Sequence, residues 1–108
     1  MDKGRKYRNE RDDETMSNVI WKYPLNFLHE LNDIEMPKGS QVLTVDHQHG
    51  QVVMWVAVDP DAPKVHRRIC IVPTGQRTER RLVEKQHIGT LLMLQGEFVI
   101  HIFDAGEF

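Results

Sequence analysis

The sequence predicts an all-β fold, mostly antiparallel: a small β-sandwich or open barrel of about six or seven strands with at most one short helix. Three observations predict it. Two β-prone runs flank His49-Gly50, and two more flank Gln95-Gly96. Turn chemistry recurs between them at Pro37-Lys38-Gly39-Ser40, Asp59-Pro60-Asp61-Ala62-Pro63 and Pro73-Thr74-Gly75. Helical periodicity is nearly absent.

Residues 1–16 hold five acids, five bases and, as apolar groups, only Tyr7 and two methionines. Such a segment cannot offset its ordering entropy by burial, so a disordered charged leader is expected there, with a single β domain over 17–108. The first strand falls on Val19-Ile20-Trp21-Lys22-Tyr23, which is β-branched and aromatic, and is expected to end at Pro24. Asn26–Leu31 reads as one helical turn or as a connection with its apolar side chains tucked in. Ile34 and Met36 alternate around Glu35 as in a short strand.

At His49-Gly50 a two-residue type I′ turn needs positive φ at both positions, free for glycine and tolerated by histidine. That register sets Val45 against Met54, Leu43 against Val56 and Gln41 against Val58 on one face. Val42/Ala57 and Thr44/Trp55 share the other. Both faces carry apolar groups, so this hairpin is expected inside the molecule rather than wet on one side. If one face stays open, the apolar excess argues for a homodimer. Val65–Val72 reads as a further strand, and 76–86 as a polar loop or short helix. The last hairpin pairs Met93 with Phe98, Leu92 with Val99, Leu91 with Ile100 and Ile88 with Phe103, and sets His101 against Thr90.

The chain has 108 residues, 40% hydrophobic and 28% charged, enough for one core. No apolar run approaches the ~20 residues that span a bilayer, and charge begins at the second residue, so neither a membrane segment nor a secretory signal is expected. The one cysteine, Cys70, lies in the apolar run Ile69-Cys70-Ile71-Val72 and reads as a small buried hydrophobe in a reducing compartment. These features place the chain in the cytoplasm. Charge is unevenly spread. Lys64, Arg67, Arg68, Arg77, Arg80, Arg81 and Lys85 face only Glu79 and Glu84 within 64–85, whereas 26–63 is acidic. The basic segment is the candidate binding site, for an acidic protein surface or for phosphates, and it lacks the interleaved aromatics of a base-stacking surface.

Other groups carry less. His47 and His49 are two positions apart, but zinc takes three or four ligands, and His49 sits in the turn, so solvated turn histidines and no metal are expected. His101 reads as a histidine satisfied by a neighbouring hydroxyl, with no nucleophile or base beside it. No phosphate loop occurs, since Pro73-Thr74-Gly75 is a lone turn. An enzyme is not expected, nor a cofactor.

Several segments taken in order resemble a small domain of unknown function from tailed phages and prophages. They are Ile20-Trp21-Lys22-Tyr23-Pro24-Leu25, Met36-Pro37-Lys38-Gly39, Trp55-Val56-Ala57-Val58-Asp59-Pro60, Ala62-Pro63, Thr74-Gly75, Ile88-Gly89-Thr90 and His101-Ile102-Phe103. Members of that family tend to begin near the Ile-Trp-Lys segment, which implies that 1–16 is an addition. They tend to carry Gly-Thr-Gly-His where this chain has Pro73-Thr74-Gly75-Gln76. The resemblance implies phage origin and no assigned activity. The expected function is that of a phage or prophage accessory protein in the host bacterial cytoplasm, binding a host protein stoichiometrically as an anti-defence inhibitor or host-takeover factor. The alternative is a nucleic-acid-binding accessory protein using 64–85.

Overall fold

The computed structural model describes residues 18–108 apart from the side chains of Arg80 and Val83; the charged leader, 1–16, lies outside the described residues. Seven strands run in order: β1 (Val19–Leu25), β2 (Leu31–Pro37), β3 (Gln41–Gln48), β4 (Gln51–Val58), β5 (Lys64–Pro73), β6 (Gln86–Met93) and β7 (Phe98–Glu107). They form two antiparallel sheets, β1-β4-β3 and β2-β5-β7-β6. This is the all-β sandwich read from the sequence. Helix is confined to 3₁₀ turns at Arg80–Glu84 and Leu94–Gly96.

Alternation along the strands sets the core between the sheets. Val52, Met54, Val56 and Val58 of β4 are all fully buried and meet Ile69 and Ile71 of β5 and Ile100 and Ile102 of β7. Each such side chain removed from water contributes about 1.5–3 kcal/mol. Met36 and Leu25 close the interior, with Phe27 packed against it, so the Asn26–Glu30 connection does tuck its aromatic ring inward. At one corner β6 approaches β3 so closely that a Cβ on Gly89 would lie 2.8 Å from Val45 Cγ2.

Four local expectations are corrected. The first strand does not end at Pro24 but continues to Leu25; β1 lies at a sheet edge, where a missing N–H is tolerated. In the first hairpin Val45/Met54 and Thr44/Trp55 pair as expected, and His49 and Gly50 take φ of 53° and 79°. A bulge between Val42 and Thr44 then puts Val42 opposite Val56 and Gln41 opposite Ala57. Val42 and Val45, three residues apart, cannot both face inward in a regular strand; the extra residue, Leu43, lets both be buried. In the second hairpin a bulge between His87 and Gly89 replaces the expected Ile88/Phe103 pair with His87/Phe103. Its tip is a four-residue loop in which Leu94, Gln95 and Gly96 all have positive φ, while Met93/Phe98, Leu92/Val99 and Leu91/Ile100 pair as read.

The first hairpin is also less enclosed than its composition implies. Ile20 of β1 is 60% exposed and Leu43 44%, so the outer face of the three-stranded sheet is partly open, with Val53 of its central strand buried. The outer face of the four-stranded sheet is instead partly covered. There Leu82, carried by the 3₁₀ turn of the 74–85 connection, buries itself against Cys70, Val72, Phe103 and Ala105 in a second small apolar cluster.

Candidate functional site

The basic segment divides when it folds. Lys64 and Arg67 stand at the start of β5, Arg68 turns to the outer face, and the remaining charges ride on the connection that crosses that face. Arg67 points into the end of the sandwich. Its Nε and Nη2 donate to the Asp104 carboxylate at 2.8–3.2 Å, and its Nη1 donates to the Ser40 carbonyl at 2.8 Å. Both side chains are nearly buried, 14% and 4% exposed. Glu107 lies 3.5 Å from the same guanidinium and accepts the Gly39 N–H. Arg67 therefore ties β5, β7 and the β2–β3 turn together and is committed to the fold. Lys64 is exposed and pairs with Pro37 on the opposite side of the strand start.

Arg68 is held on the surface by a two-pronged bond to Asp33, 2.8 and 2.9 Å. That bond lowers the Asp33 carboxyl below the usual range and raises the already high Arg68 value. Phe108 covers the guanidinium, its ring centroid 4.9 Å away, and packs against His66. The acidic and basic stretches of the sequence thus meet along the β2–β5 seam, Asp33 opposite Arg68 and Glu35 opposite His66. One ion pair, Arg68 with Asp33, joins the two stretches there.

The charge left over concentrates on the connection. Arg77, Arg81 and Lys85 line a cleft of about 760 Å³ between the 74–85 segment and the β2 side of the sheet. No ion pair among the described residues uses any of the three. Glu30 and Glu79 share the rim. Cys70, Ala105, Leu82, Leu31 and Phe108 supply its apolar lining, with Leu82 packed on Cys70 and Ala105. Burial pushes the Cys70 thiol up, against a smaller downward pull from Arg68, so it stays protonated at neutral pH and serves as apolar floor. Of the predicted basic residues, the cleft collects Arg68, Arg77, Arg81 and Lys85 and excludes Lys64 and Arg67; the Arg80 side chain is outside the description. Sequence reading missed Leu31, Ala105 and Phe108. Leu82 had a visible signal, one of two apolar residues in the otherwise polar 76–86 stretch.

On the far side of the same connection lies a polar chain. Thr74 Oγ1 is 2.7 Å from His101 Nε2, His101 Nδ1 is 3.0 Å from Thr90 Oγ1, and Thr90 Oγ1 is 3.0 Å from His87 Nε2. A neutral His101 donates through one ring nitrogen and accepts through the other, so the two hydroxyls satisfy its ring, and Thr90 also meets one nitrogen of His87. His101 finds the hydroxyl that the hairpin register predicts, and the chain anchors the root of the connection at Thr74. His47 and His49 are exposed at their turn. Among the described residues no three His, Cys, Asp or Glu side chains group closely enough to hold a metal ion, and no helix is long and apolar enough to cross a membrane.

A family model described as a domain of unknown function (DUF7352) matches residues 16–107. No curated protein and no solved structure matches the chain.

Proposed function

We propose that this chain, which belongs to the DUF7352 domain family, is a phage or prophage accessory protein that acts by stoichiometric binding to a host protein, as an anti-defence inhibitor or host-takeover factor would. The observation that carries the reading is the cleft. An apolar floor under a rim of Arg77, Arg81 and Lys85 is an arrangement that receives a protruding chain, anchoring it by burial and selecting it by charge. The phage element of the proposal is supported by the ordered segments that resemble the phage domain. The reading is tested by capture from host lysate with the intact chain and with an Arg77→Glu/Arg81→Glu/Lys85→Glu variant. A partner held in equal amount by the first and lost by the second supports it. A partner retained by the variant, or none held in stoichiometric amount, refutes it.

The second reading, binding to nucleic acid, is favoured by the same three charges on one connection. It predicts affinity that falls steeply with salt, the slope dropping by about 0.9 for each phosphate contact removed. Binding that is flat between low and moderate salt excludes it.

A further inference from the structure

Resting on the cleft as the contact site, we infer that its occupant is an extended acidic peptide segment of the partner protein, anchored by one aliphatic or aromatic side chain. The anchor's place is the apolar lining to which Leu31, Leu82, Ala105 and Phe108 contribute. Leu31 is 49% and Phe108 65% exposed, so both present apolar surface at the mouth that an entering side chain would cover. A concave apolar site with a few charged groups at its margin binds by such an anchor and orients it by the charges.

The margin carries a net positive charge. Arg77, Arg81 and Lys85 stand on the connection together with Glu79, and Glu30 accepts from the Thr78 hydroxyl at 3.5 Å. Arg68 is neutralised by Asp33. Carboxylates flanking the anchor are therefore drawn to Arg77, Arg81 and Lys85 and kept away from Glu30 and Glu79. One feature disfavours a nucleic acid in the same place. Among the described lining residues the one aromatic ring, Phe108, already packs on His66 and Arg68, whereas strand binding uses successive open rings.

The test is fluorescence anisotropy with three labelled probes: a short peptide with one leucine among aspartates and glutamates, the same peptide with serine for leucine, and a single-stranded oligonucleotide of equal net charge. The leucine peptide is expected to bind, and the serine peptide to bind at least about tenfold more weakly, the loss that follows from removing one buried aliphatic anchor. Arg81→Glu is expected to weaken the leucine peptide by a similar factor, and bound peptide is expected to slow alkylation of Cys70 by iodoacetamide. Equal binding of the two peptides, or an oligonucleotide that binds as tightly, overturns the inference. If no peptide binds while the triple charge reversal still abolishes capture of the host protein, this inference falls and the proposed function stands. If capture survives the reversal, both fall.

Discussion

Alanine at position 89 tests how the two sheets meet. Its added Cβ would lie 2.8 Å from Val45 Cγ2, well inside the 3.5–4.0 Å at which carbon atoms pack best. Val45 is 6% exposed, and its branched side chain is stiff about χ1, so the methyl cannot swing aside cheaply. Overpacking of this kind costs about 1–3 kcal/mol. The opposing term is small. Gly89 does not adopt positive φ, so alanine is allowed there and restricts the unfolded chain, a gain of about 0.4–1 kcal/mol. The clash wins, and Gly89→Ala should lose on the order of 1–2 kcal/mol, or about 4–8 °C in Tm per kcal/mol for a domain of this size. Urea unfolding followed by circular dichroism should show a lower midpoint with an unchanged slope. Val45→Ala removes the offending methyl, and in that background Gly89→Ala should become neutral or slightly stabilising. A Gly89→Ala chain as stable as the parent, or a loss of the same size in both backgrounds, would show that β6 and β3 do not touch at this corner.

Two further outcomes follow from the buried ionisable groups. Asp104→Ala leaves Arg67 with Glu107 as its remaining carboxylate, 3.5 Å away, and should cost up to about 3–5 kcal/mol, whereas Arg67→Met/Asp104→Leu should lie much closer to the parent; chemical denaturation of the three chains decides, and an Asp104→Ala chain within error of the parent refutes the role given to the pair. The Cys70 thiol, raised by burial, should show a pH–rate profile for iodoacetamide with its midpoint above that of a free thiol, and Arg68→Ala should move it higher because a cation that favours the thiolate is gone. In linkage terms a raised thiol value contributes stability below the unfolded pKa that is lost as pH climbs through the folded one, so Cys70→Ala should flatten the alkaline fall in stability.

The strand pattern was legible wherever one residue type decides the backbone. Gly50 behind His49 marked a tip with two positive φ angles, and the register near that tip followed from it. It failed farther out, at Leu43 and Ile88, because a bulge is a response to what the opposite sheet requires. Val42 and Val45 at a spacing of three signal that some irregularity must occur, but only the facing core says that both are to be buried. Pro24 was misread for a related reason. A proline ends an interior strand and is tolerated in an edge strand, and a single strand's own residues do not say which of the two it is. The openness of the β1-β4-β3 outer face escaped detection because apolar composition on both faces of a hairpin is compatible with either a covered or an exposed layer.

Charge was legible as a count and illegible as a place. The seven basic residues of 64–85 read as one patch in one dimension, yet strand alternation turns Arg67 and Arg68 to opposite faces of the same sheet. The inward one needs a buried carboxylate, which Asp104 supplies, and the outward one finds Asp33 across the β2–β5 seam. Residues on a regular strand therefore meet partners dictated by register, and their charge is cancelled by whatever lies opposite. Residues on a connection have no register. Among the described residues Arg77, Arg81 and Lys85 enter no ion pair, and the connection meets the sheet through Leu82 and the Thr74–His101 contact. That is why the charge available to a partner gathers on the one long crossing segment. A functional change of specificity would then arise most readily at the exposed positions Arg77, Arg81 and Lys85, where substitutions disturb neither the core nor the Arg67–Asp104 pair.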